Sequence, residues 1–195
     1  MLLLIAGLVV FLGAHSVRIV ADGWRTRTIA RVGTGAWKGA FTVVSIVGLV
    51  LMVIGWGQTR ADPVLVWTPP LWTYHLAIAL TLPAFLLLVA AYVPRNHLRA
   101  WVGHPMLAGV KLWALAHLLA NGRLGDMLLF GALLVWAIAC FIVSRRRDRA
   151  AGVVRAPGTL AGDAAVLVLG VALWFVFARW LHLAWIGVDP LAWMR

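Results

Sequence analysis

Acidic residues are scarce in this chain of 195 residues. Only 6 residues are aspartate or glutamate, and all of them are aspartate. Each lies in a predicted loop or at a predicted helix end: Asp22, Asp62, Asp126, Asp148, Asp163 and Asp189. An intramembrane metalloprotease or a carboxylate proton relay needs acids within its membrane spans. The distribution of the aspartates therefore argues against both classes of protein.

Cysteine is equally scarce, since Cys140 is the only one. A single cysteine excludes an intramolecular disulfide and any zinc or iron–sulfur site built from several cysteines. The sequence also lacks Cys-x-x-Cys-His, the motif that attaches c-type haem covalently. Because Cys140 lies in an apolar stretch, we expect it to be a small core residue.

Apolar residues dominate the composition. They make up 64% of the chain, charged residues make up 12%, and the mean hydropathy is +0.96. These values exclude a soluble domain and predict an all-α, polytopic membrane protein. Since one span takes about 20 apolar residues, we predict a six-transmembrane-helix bundle that forms a single membrane domain over residues 1–195. The predicted spans are residues 2–21, 37–56, 71–92, 105–119, 124–143 and 164–186.

Basic residues are concentrated in alternate connections between these spans. The formal net charge is +11. The connections after the first, third and fifth spans carry most of it: Arg18, Arg25, Arg27, Arg31, Lys38, Arg95, Arg99, Arg145, Arg146, Arg147, Arg149 and Arg155. The positive-inside rule then predicts that both termini lie on the non-cytoplasmic side of the membrane. No aromatic residues interleave the run at Arg145, so we expect contact with anionic membrane lipid and not with nucleic acid.

Three histidines and a lysine are predicted in or at the ends of membrane spans, where such side chains are costly and by default functional. They are His15, His104, Lys111 and His117. The first span lacks the basic start of a cleaved signal, so we expect the protein to keep His15. His104 and His117 are separated by about 140° around a helix and about 20 Å along it. These two histidines therefore cannot bind one metal ion together.

A b-type haem suits such histidines, because it needs one or two axial nitrogens and an apolar slot between helices. Lys111, Arg18 or Arg179 could pair with the haem propionates. Lys111 could instead hold the polar end of a hydrophobic small-molecule substrate. Trp113 and Trp136 lie deep in their spans and would serve as packing residues or pocket walls. The alternative role for each histidine is a hydrogen bond that joins two helices.

The end of the first helix decides which histidine could share an iron with His15. If the helix ends near Trp24, His15 and His117 reach similar depths in the membrane. If it ends at Val20, His104 matches the depth of His15 better. In that second case His117 would meet another partner, such as the outer end of the last helix. Helix tilt can absorb several ångströms of difference, which favours His15 with His117.

Two stretches of the sequence resemble a known family. One starts at His104-Pro105 and continues as Gly109-Val110-Lys111-Leu112-Trp113-Ala114-Leu115-Ala116-His117-Leu118-Leu119-Ala120-Asn121-Gly122. The other is Phe11-Leu12-Gly13-Ala14-His15-Ser16. Through them the chain resembles the NnrU family of bacterial membrane proteins, over about residues 1–150. NnrU proteins are associated with denitrification, specifically with the expression of nitrite and nitric oxide reductases. That family is in turn similar to 15-cis-zeta-carotene isomerase of plants and cyanobacteria, a haem b protein.

The resemblance implies that this chain binds haem b, with His15 and His117 as iron ligands, and acts in denitrification. Two alternatives stay open. One is a haem-dependent cis–trans isomerase of a polyene lipid, and the other is a haem-free membrane assembly factor for the reductases. Ala114 stands where the plant isomerases have a cysteine, which argues against the isomerase.

Overall fold

The computed structural model describes residues 1–192, and the regular structure in that range is helical. The helices are α1 (Leu2–Val20), α2 (Asp22–Ala61), α3 (Leu71–Ala90), α4 (His97–Val102), α5 (Pro105–Ala120), α6 (Leu124–Ala150), α7 (Leu160–Val176) and α8 (His182–Ile186). A π-helical turn over Phe177–Leu181 joins the last two helices. The predicted all-α class is confirmed.

Within residues 1–192, five helical segments are long and apolar enough to cross a membrane: Leu2–Val20, Asp22–Ala61, Leu71–Ala90, Leu124–Ala150 and Leu160–Ile186. They support a multi-pass membrane protein, as the composition predicts. The predicted fourth span corresponds to α5, which has 16 residues. Its length of about 24 Å is less than the hydrocarbon core of about 30 Å. The count of six spans therefore stays a prediction.

The chain divides into two compact units, which we describe separately. The first contains Met1–Thr68 and Asn121–Val143, and the second contains Pro69–Ala120 and the chain from Ser144 onward.

In the first unit, α1 and α2 pack closely because glycines allow their backbones to approach. A Cβ atom on Gly48 would lie 2.7 Å from the backbone nitrogen of Phe11. A Cβ atom on Gly55 would collide with the backbone of Leu4. Close helix contact through small residues is typical of membrane proteins, where packing replaces the hydrophobic effect as the driving force.

The helix α2 extends through the connection between the first two predicted spans. Gly33 interrupts it with a φ of +84°, a backbone conformation that favours glycine. No proline occurs between residues 22 and 61, so no other residue forces a break. The first basic connection is therefore helical, and α2 consists of two helical stretches that meet at Gly33.

Contacts around the start of α6 fix this helix within the first unit. The N–H of Val66 donates to the Gly122 carbonyl at 2.8 Å. The indole Nε1 of Trp56, in α2, donates to the buried carboxylate of Asp126 at 2.6 Å. These bonds hold α6 in the position from which Trp136 contacts the His15 ring of α1.

In the second unit, α3 packs against both α5 and α7. Gly109 of α5 lies so close to α3 that a Cβ atom there would be 2.9 Å from the Ala84 carbonyl oxygen. On the α7 side, Nε1 of Trp174 donates to Oγ1 of Thr81 at 3.0 Å. The short helix α4 is held by α7, because the carboxylate of Asp163 accepts hydrogen bonds from the main chain and the ring of His97.

Candidate functional site

His15 lies in α1 of the first unit with a fixed ring orientation. Its Nδ1 donates to the Phe11 carbonyl at 2.8 Å, and its ring stacks on the Phe11 ring with the centroids 4.1 Å apart. Phe41 and Trp136 pack around the same ring, with centroids at 4.9 and 6.0 Å. Because Nδ1 carries the proton, Nε2 presents a lone pair, as an iron ligand requires.

The buried indole nitrogen of Trp136 adds an unusual feature next to His15. Within residues 1–192, this Nε1 atom has no hydrogen-bond partner although it is shielded from solvent. A buried donor without an acceptor is costly, and each such group in a folded protein calls for an explanation. The group is suited to donate to a ligand bound beside His15.

His117 lies near the end of α5 in the second unit. Its Nδ1 donates to the Trp113 carbonyl at 2.8 Å, so Nε2 again presents a lone pair. The Trp113 ring lies beside the imidazole, with the centroids 4.7 Å apart. Trp113 therefore contacts this histidine directly, in agreement with its predicted role in packing or as a pocket wall.

His182 faces His117 within the second unit. The two imidazole centroids are 6.4 Å apart and the rings are inclined by 28°. Nδ1 of His182 bonds to the Val188 carbonyl at 2.7 Å, which gives this ring the same tautomer as His117. The π-helical turn Phe177–Leu181 comes directly before His182, and such turns are frequent at functional sites.

His182 was not among the residues that the sequence selected, because it lies near the end of the last predicted span. The depth argument was the signal that pointed to it. The helix α1 ends at Val20, the case in which we expected His104 to match the depth of His15 better and His117 to meet another partner, such as the outer end of the last helix. His182 lies near the end of the last predicted span and contacts His117.

His104 has an acidic partner. Its Nε2 bonds to Oδ2 of Asp148 at 2.8 Å, and Arg155 donates to the same oxygen. This histidine directly precedes α5, and its partner lies near the end of α6. The sequence alone could not pair them, because 44 residues separate the two.

Lys111 is partly buried in α5. It precedes His117 by about 9 Å along the helix axis, from the rise of 1.5 Å per residue. Arg179, another predicted partner for a propionate, lies over the ring of Trp180 at 5.9 Å from the centroid. The predicted roles of both residues toward a cofactor stay predictions.

Comparison with known proteins identifies a family for this chain. The family model described as NnrU protein matches residues 3–190, which is nearly the whole chain. No curated protein and no solved structure matches.

Proposed function

The chain belongs to the NnrU family, and from this membership we propose that it is a haem b-binding inner-membrane protein that acts in denitrification. The role would concern the expression or function of nitrite and nitric oxide reductases, as the resemblance implies. The structural support is the pair of imidazole rings of His117 and His182.

The chemistry of these two rings suits an iron ligand. Metal-binding histidines almost always donate their second ring nitrogen to a carbonyl, carboxylate or water, which fixes the tautomer. Both His117 and His182 donate Nδ1 to a main-chain carbonyl. Trp113 lies beside the first ring and Phe177 beside the second, with centroids at 4.7 and 5.8 Å. Aromatic neighbours of this kind suit the apolar macrocycle of haem.

A haem, when bound, would supply one-electron chemistry. The protein's own residues would orient it and set its electronic properties through the axial ligands and their hydrogen bonds. In this proposal His117 would hold the iron. His15 would be the second ligand, as the family resemblance implies, and the ring contact supports His182 as the alternative. Lys111 is the proposed partner of a propionate.

The absorption spectrum of the purified protein, expressed with sufficient haem supply, tests the cofactor. We expect a Soret band and the sharp visible bands of low-spin haem. His117→Ala should abolish the low-spin signal. Of His15→Ala and His182→Ala, the variant that also abolishes it identifies the second ligand. Retention of the full spectrum in His117→Ala would rule out the proposed ligand.

Two matched controls keep the spectrum interpretable. His75 also bonds to the carbonyl four residues earlier, that of Leu71, but its ring is exposed. His104 binds Asp148. Both His75→Ala and His104→Ala should leave the spectrum unchanged. Loss of the low-spin signal in His75→Ala would indicate a general folding defect, and loss in His104→Ala would indicate such a defect or a different ligand set.

The role in denitrification needs a separate measurement. In a strain that lacks the protein, we expect reduced nitrite and nitric oxide reductase activity, restored by the wild type and not by His117→Ala. Restoration by His117→Ala would separate the role from haem binding and favour the haem-free assembly factor. Conversion of a cis-polyene by the reduced haem protein would instead indicate an isomerase.

A further inference from the structure

Two guanidinium groups converge on one backbone position in the second unit. Gly103 lies between α4 and α5 with a φ of +79°. A Cβ atom on it would be 2.8 Å from Nη1 of Arg145 and 2.7 Å from Nη2 of Arg155. Any other residue at this position would therefore push the guanidinium groups away. Like charges brought this close favour an anion between or beside them.

The acidic side chain in this cluster balances only part of the charge. Asp148 accepts hydrogen bonds from Arg155 and from Nε2 of His104 through a single oxygen atom, Oδ2. One carboxylate offsets one guanidinium, so the cluster keeps a net positive charge. Planar guanidinium groups bind phosphate oxygens in a two-pronged geometry, which makes phosphate the best complement for the remaining charge.

An apolar cleft lies beside the same short helix. The His97–Asp163 pair lines part of this cleft. The other walls are formed by apolar side chains of α3, α4 and α7: Leu86, Leu98, Trp101, Val166 and Leu167. Trp101 is only two residues before Gly103, which keeps their Cα atoms within about 7 Å. Trp101 is 72% exposed as a residue, as is usual for a tryptophan at the membrane interface.

We propose that Gly103, Arg145 and Arg155 bind the phosphate of one anionic phospholipid, while an acyl chain of the same lipid lies in the cleft beside Trp101. Free phosphate would use the guanidinium groups only, whereas a lipid uses the apolar cleft as well. The position in the chain also favours a lipid. Gly103 lies just before the apolar helix α5, and Arg145 comes directly after the apolar part of α6, where headgroups are expected.

Native mass spectrometry of the purified protein after exchange into phosphatidylglycerol or phosphatidylcholine tests this site. We expect one phosphatidylglycerol molecule to survive delipidation on the wild type, with little phosphatidylcholine retained. Arg145→Gln should weaken retention about fivefold, the contribution of one arginine near an anionic surface. This single variant leaves the bond between Arg155 and Asp148 in place, so a folding defect is not expected. The double variant R145Q/R155Q should abolish retention.

The matched control is R146Q/R149Q, which removes the same charge from two exposed arginines of the same helix. It should retain the lipid as the wild type does. If both double variants lost phosphatidylglycerol equally, the charge of the surface in general would explain binding and the proposal would be overturned. Retention of phosphatidylcholine equal to that of phosphatidylglycerol would overturn it as well. Displacement of the lipid by an equimolar amount of inorganic phosphate would overturn it too, because an acyl chain in the cleft should make the lipid bind more tightly than free phosphate.

Discussion

At the residue scale, the histidines fall into two groups by the atoms their Nδ1 or Nε2 nitrogens bind. His15, His75, His117 and His182 each donate Nδ1 to a main-chain carbonyl. His97 and His104 each bind a carboxylate. The first group keeps a nitrogen lone pair suited to a metal, whereas the second group joins helices or their connections. From the sequence, metal binding and a hydrogen bond between helices were alternatives for each histidine. Only the contacts in the folded chain distinguish the two groups.

Substitution of Lys111 tests whether it holds a propionate. Lys111→Met should lower haem retention about tenfold or more, because a hydrogen bond to a charged group contributes about 1.5–3 kcal/mol. Membrane insertion should be unaffected, since methionine is more favourable in the bilayer than lysine. The haem-to-protein ratio of purified protein provides the measurement. An unchanged ratio would leave Lys111 as a residue that extends toward the interface.

The bond between Trp56 and Asp126 provides a stability prediction in the first unit. Asp126→Ala removes the acceptor of the Trp56 indole and should lower the free energy of unfolding by about 1–3 kcal/mol. Asp62→Ala is the control, because Asp62 is exposed. Thermal unfolding in detergent compares the two variants. Equal melting temperatures would mean that the buried carboxylate adds nothing to stability.

At the scale of elements, the glycines of α2 differ in what surrounds them. Gly55 lies against the backbone of Leu4 in α1, whereas Gly57 has open space where a side chain would be. The sequence has glycine at both positions, but two steps along a helix are about 200° around its axis, so the two glycines face opposite sides of α2. Which side faces α1 depends on the packing of the two helices, which the sequence does not specify residue by residue.

Alanine at these two positions should have opposite effects. Gly55→Ala forces α1 and α2 apart and should destabilise the protein by about 1–3 kcal/mol, as overpacking usually does. Gly57→Ala should be neutral or stabilising by up to about 1 kcal/mol, because alanine is the better helix former. Unfolding of both variants in the same detergent gives the comparison. A destabilised Gly57→Ala would mean that flexibility at this end of α2 matters.

The hydropathy pattern predicts the apolar helices well and their ends less well. The apolar cores of α1, α3 and α6 begin at the predicted residues. The helical connection before Trp37 was missed because hydropathy identifies apolar spans only, and this connection is polar and basic. The π-helical turn was missed as well, since a local change of hydrogen-bond register leaves no mark on hydropathy.

At the scale of the whole molecule, the distribution of charge predicts orientation. Basic residues follow the first, third and fifth predicted spans, and such connections stay in the cytoplasm. A reporter fused after Arg149 should therefore be active inside the cell, and one fused after Arg195 should be active in the periplasm. The reverse pattern would refute the predicted orientation. Activity of both reporters on one side would contradict the predicted number of spans between them.

Composition alone gives the class of the molecule, because few structures other than a membrane bundle accommodate so many apolar residues. Long-range partners are a different matter. His97 and Asp163 are separated by 66 residues, and no local pattern relates them. The candidate site was therefore predictable as a set of residue types within spans, while the approach of His182 to His117 required the folded chain.

The π-helical turn at Phe177–Leu181 takes up one residue more than the α-helical turn it replaces. Loss of one residue within this turn would restore a regular α-helix and leave His182 facing His117. Loss of one residue within α7 would instead rotate every later side chain by about 100° around the axis, which would carry His182 away from His117. The turn is thus the place in the last helix where a chain of this kind can gain or lose one residue, keep the pairing of these two histidines and continue to insert into the membrane.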